Sequence, residues 1–146
     1  MSSLSRNLIL VALSVLTLSA CTSPDDEEAL SETQKYYFLE SLKTVEQAGR
    51  SLQSKSLTQK DIREALAIMD QGMELAFQVE SEFLDRLDAR LDKNYQRYFV
   101  KGVESYRLGI EAGDRKQQQE GLRLLTQWAE FWALAKPAVD EKLRPK

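Results

Sequence analysis

Cys21 is the only cysteine among 146 residues, and histidine is absent altogether. Those two facts close off most catalytic chemistry. Histidine is the side chain that changes charge near neutral pH, and it is the commonest metal ligand. Without it no Ser-His or Cys-His nucleophile pair can form. No glycine-rich loop leads into a lysine in the phosphate-cradling pattern. Carboxylates are what remains for acid–base work. Their densest run is Glu80, Glu82, Asp85, Asp88 and Asp92, and helical spacing puts Asp85, Asp88 and Asp92 on one face. Arg86, Arg90 and Lys93 alternate with them. The run therefore reads as a solvated helix face of mixed-sign pairs three and four residues apart. The carboxylates of a glycosidase converge from different elements around a cleft, and nothing here points to one. The expectation is a protein that is not an enzyme, with no catalytic residues, no metal and no cofactor.

Cys21 is informative because of what precedes it. Arg6 is the only charge in the leader, residues 8–20 are apolar apart from hydroxyl side chains, and the stretch closes on small residues. That is the three-part form of a secretory signal peptide, and the apolar run falls short of the roughly 20 residues a membrane-crossing helix needs. The sequence Leu18-Ser19-Ala20-Cys21 resembles the lipobox of bacterial lipoproteins. The resemblance covers the first 21 residues alone. It implies cleavage before Cys21 and acyl chains such as palmitate on that residue, and two chains give stable anchoring. In that class an aspartate right after the cysteine tends to mark retention in the inner membrane. Here the position is Thr22, so the resemblance favours the outer membrane; a body facing the periplasm is the expectation set beside it, with surface exposure left open.

Residues 21–30 read as a flexible tether, since Pro24 and the acids Asp25, Asp26, Glu27 and Glu28 oppose packing. The chain carries 20 Lys and Arg against 23 Asp and Glu. That acidic balance, without a polybasic stretch, excludes nucleic acid as a partner. The first 20 residues are assigned to the leader, 31–136 to one helical domain and 137–146 to a loose tail.

The domain reads as all-α, a small antiparallel bundle or stacked helical hairpins of three to four helices. Only six glycines and three prolines occur, and no segment alternates as a strand does. Ser31 and Gln34 fit a capping box in which Gln34 reaches back to Ser31. Phe38, Leu39, Leu42, Val45, Gly49 and Leu52 then make one stripe of a helix ending near Gln53. Thr58 is the next expected N-cap, with Asp61 at its third position. Apolar residues, Met69 and Met73 among them, keep helical spacing from Ile62 to about Ala112. A single helix over 59–112 would be roughly 80 Å long, so a break near Asp92-Lys93-Asn94 is expected to fold it back. Gly113 suits a left-handed C-terminal position and Asp114 the N-cap that follows. Gly109 and Gly121 flank that turn and would let two helices approach closely. The last helix should stop before Pro137, because proline disfavours helix in the residue before it.

Trp128, Phe131 and Trp132 are the heaviest aromatic cluster, and Leu134 lies outside their face. Two readings stand. They pack on the hairpin partner helix, including Phe99 and Tyr106, or they present a ridge that grips a protein partner. Tyr36 and Tyr37 flank the first stripe and pose the same question. Size and plan are similar to the pilotins, small lipoproteins that carry secretin subunits to the outer membrane. The preferred expectation is a membrane-anchored protein-binding or escort module of the cell envelope, with Trp128, Phe131, Trp132 and Leu134 as the candidate contact residues. The alternatives are a structural or stress-related envelope lipoprotein without a tight partner and, last, a small-molecule binder.

Overall fold

The computed structural model describes residues 30–144. The leader, Cys21 and most of the tether lie outside the described residues, as do the last two residues of the chain. The described part is all-helical, without a strand. Its elements are α1 (Glu32–Ser51), α2 (Gln59–Ala76), α3 (Ser81–Leu87), α4 (Leu91–Asn94), a π-helical turn (Tyr95–Val100), α5 (Lys101–Ala112) and α6 (Arg115–Leu143). Residues 91–112 continue without interruption, so α4, the π turn and α5 form one rod. The described residues therefore make five rods, one more than the upper expectation.

The three longest helices, α1, α2 and α6, start where a side chain accepts from their first amides. Thr58 and Asp61 form a complete capping box: Asp61 N–H donates to Thr58 Oγ1 at 3.2 Å and Thr58 N–H donates to Asp61 Oδ2 at 2.7 Å. Asp114 accepts from the amides of Lys116 and Gln117, directly after Gly113 at φ 65°. At the start of α1 only half of the expected box exists. Ser31 Oγ accepts from Gln34 N–H at 3.4 Å, but the Gln34 side chain does not return to Ser31. It crosses to the end of α2, where its Nε2 donates to Gln78 O at 3.1 Å and its Oε1 accepts from Glu80 N–H at 2.8 Å.

That bidentate contact explains one of two breaks in the long periodic stretch. The chain leaves the helix between Ala76 and Ser81, where the buried Gln34 amide satisfies backbone groups on both sides of the gap. It leaves it again at Asp88, whose backbone is extended and whose carboxylate accepts from Arg90 N–H at 2.8 Å. Asp92, Lys93 and Asn94 are helical, so the break expected there lies a few residues earlier, where an aspartate can cap its own turn. Arg90 donates to Asp88 through side chain and backbone and holds that carboxyl below its ordinary range.

Within each long pair the helices run in opposite directions. In α1–α2, Gln34 meets residues 78 and 80, while Val45 meets Gly72. In α5–α6, Tyr106 meets Gly121 and Leu124 meets Gly102. A Cβ placed on Gly121 would lie 2.4 Å from Tyr106 N and 2.7 Å from its Cα. The two backbones are thus closer than any side chain would allow, as the flanking glycines suggested.

The expected end before Pro137 does not occur. Helix α6 runs on to Leu143 with Pro137 inside it. A proline within a helix costs about 3 kcal/mol through a lost backbone bond and a ring clash. Burial on both sides offsets this. Ala135 and Val139 are enclosed, Leu143 packs on the core, and Lys142 Nζ donates to Arg86 O at 2.9 Å. Residues 137–143 are consequently part of the body and not a loose tail.

Candidate functional site

The aromatic cluster read from the sequence assembles in the middle of the molecule. Trp128 stacks on Trp132 at 5.5 Å between ring centres and meets Tyr95 at 5.7 Å, Phe99 at 5.4 Å and Phe131 at 5.8 Å. Phe38 of α1 meets Trp132 edge-on at 5.6 Å. Rings from α1, the π turn and α6 therefore close the junction between the two hairpins. The wide π turn serves this packing, since it turns Tyr95, Phe99 and Val100 inward together.

Burial separates the four candidate contact residues. Trp128 is 7 % exposed and belongs to the core. Phe131 and Trp132 are partly buried against that core, and the Arg90 guanidinium lies 5.7 Å from the Phe131 ring centre. Leu134 is 84 % exposed. The structure thus brings the three rings together, as the packing reading has it, and leaves Leu134 on the outer face. Tyr36 is exposed, Tyr37 packs partly on the core, and Met69 and Met73 are buried as core filler.

One polar pair lies inside this core. Ser41 Oγ donates to Phe38 O at 2.7 Å, which uses its only proton. The Tyr95 hydroxyl, 2.8 Å away, must then donate to Ser41 Oγ. Burial pushes the Tyr95 phenol well above its ordinary value. A raised folded-state value makes the neutral phenol the stable form. Its contribution is whole below the unfolded pKa of about 10 and is lost as pH rises beyond it. Chemical denaturation measured from pH 9 to 11.5 should therefore show stability falling above pH 10. The slope of that fall should be shallower in Tyr95→Phe by up to about 1.4 kcal/mol per pH unit. Parallel slopes for the two proteins would contradict this account of Tyr95.

The acidic run does not gather into a site. Asp88 is paired with Arg90 at 3.0 Å, and among the described residues no group of three His, Cys, Asp or Glu is placed to hold a metal ion.

Comparison with family models, with curated proteins and with solved structures yields no match. The feature that sequence reading missed is a cleft between α2 and α5. It has a volume of about 250 Å³ and is lined by Asp70, Met73, Glu74, Phe77, Glu104 and Arg107. Phe77 is 64 % exposed. Arg107 ties the walls together, with Nε 3.1 Å from Asp70 Oδ1 and Nη1 2.9 Å from Glu111 Oε1. The signal was present in the sequence: Phe77 directly follows the buried stripe that ends at Ala76, on a helix whose apolar face does not need it.

Proposed function

We infer that this chain is a lipoprotein of the bacterial cell envelope. In this reading Cys21 carries the lipid anchor and the helical body binds a protein partner without catalysing a reaction. The observation that carries the reading is Leu18-Ser19-Ala20-Cys21, a lone cysteine set behind a short apolar leader and ahead of an acidic tether. Thr22 after the cysteine favours the outer membrane. Among the described residues no helix is long and apolar enough to cross a membrane. A lipid is therefore the attachment to be tested.

Partner binding is supported by what the surface offers. Phe77, Leu134 and Leu122 are large apolar side chains left open on a body whose core is otherwise closed by aromatic packing. The scaffold that goes with this reading is a pair of antiparallel hairpins, α1–α2 and α5–α6, stacked as a bundle with α3 as a short strut. Rigid helical faces of this kind suit recognition of a peptide or helix.

The deciding experiment is Cys21→Ser. The wild-type chain should fractionate with membranes and show an amino terminus at residue 21 with acyl mass added. The variant should move almost wholly to the soluble envelope fraction. An unmodified wild-type amino terminus, or an unchanged membrane fraction in the variant, would overturn the anchor. Detergent-solubilised wild-type protein should bring down a partner in fixed ratio, and its absence would overturn the binding role.

A further inference from the structure

Resting on the partner-binding reading, we propose that the α2–α5 cleft is the docking site, and that what docks there is a basic segment of another protein carrying an apolar side chain. Phe77 and Met73 supply the apolar part of the cleft and Asp70, Glu74, Glu104 and Arg107 its charged rim. Three carboxylates thus face one guanidinium. That guanidinium is already divided between Asp70 and Glu111. Glu74 and Glu104 enter no ion pair among the described residues. A large ring mostly open to solvent, beside two carboxylates without an ion pair among the described residues, is a surface that a complementary segment would complete.

The sign of the charge selects the occupant. A metal ion is not indicated, since these carboxylates do not converge as ligands. An anionic bilayer surface would be repelled. A second copy presenting the same face would be repelled too. The chain's own acidic stretch, residues 25–28, has the wrong sign. Lysine and arginine in a foreign segment meet all the demands. Their charged ends reach Glu74 and Glu104 while their methylene stems and an apolar neighbour lie on Phe77. A guanidinium can also stack on that ring. The hollow beneath the turn between α1 and α2, about 330 Å³, is lined by serines, acids and aliphatic side chains and offers no open ring.

The test places a photo-crosslinking residue at position 77 or at position 134 of the full-length chain in its source cell. Crosslinked peptides are then sequenced by mass spectrometry. Position 77 should capture a protein segment in which Lys or Arg flanks an apolar residue. Glu74→Lys combined with Glu104→Lys should lower that yield about tenfold, and added salt should lower it as well. Both glutamates are exposed, so an unchanged circular dichroism spectrum will show that the variant still folds. Capture at 134 but not at 77 overturns the docking site and leaves the binding role standing. Capture at neither overturns both. Lipid, a second copy or an acidic segment at position 77 overturns the site. A defined probe gives an independent measurement: a synthetic helical peptide of lysine and leucine with one phenylalanine, and its counterpart with glutamate for lysine. The lysine peptide should bind at least about tenfold tighter, and the charge-reversed variant should lose that preference. Equal affinity for the two peptides overturns the proposal.

Discussion

Trp128→Ala should cost about 4 kcal/mol of folding stability and lower Tm by about 15 °C. The indole is the hub of the aromatic junction, in contact with Tyr95, Phe99, Phe131 and Trp132. Removing it leaves a cavity between rings held by the π turn and α6, and rigid rings collapse poorly into such a space. Leu134→Ala is the natural comparison, because its side chain is almost wholly in water. That change should stay within about 0.5 kcal/mol. Thermal unfolding of both variants is the measurement. Similar losses for the two, or a negligible loss for Trp128→Ala, would show that the core is not organised around this ring.

Gly121→Ala should cost about 3 kcal/mol even though alanine is the better helix former. The added methyl would meet the Tyr106 backbone at 2.4–2.7 Å, and no side-chain rotation can relieve a clash with main chain. Helices α5 and α6 would have to separate along their length, and the aromatic layer behind them would open. Gly49→Ala supplies the control. A Cβ there meets nothing within 4 Å, so the helix-propensity gain should appear unopposed, at about 0.5–1 kcal/mol of added stability. Urea denaturation of the two variants should give shifts of opposite sign. A shift in the same direction would refute the close-packing account of α5–α6.

What the sequence revealed of this fold was local. Gly113 and Asp114 carry their own turn, and Thr58 with Asp61 carries its own cap, so each could be read from three or four neighbouring residues. What stayed hidden depends on distant partners. The gap before Ser81 is held by Gln34, more than 40 residues away in the chain. From sequence, that glutamine could be matched only to the nearby Ser31. Pro137 looked terminal because the burial that keeps α6 going past it comes from α3 and the core, not from adjacent residues. The aromatic cluster was legible as a cluster. Periodicity already set Leu134 outside that face, but the enclosure of Trp128 depends on the rings of the π turn, and periodicity along one helix does not contain that. The α2–α5 cleft was invisible for the same reason, although its exposed ring was signalled by lying off the stripe.

The Gln34 crossing bears on how the body would hang from a bilayer. Nine residues lie between Cys21 and Ser31, a leash of at most about 35 Å when taut. Its inner end is fastened to the first turn of α1, which grips the joint beside Phe77 through two hydrogen bonds. Tension on the proposed lipid anchor would be felt first at that joint. On the proposed anchor, the open ring is thus the part of the body whose position follows the tether most directly.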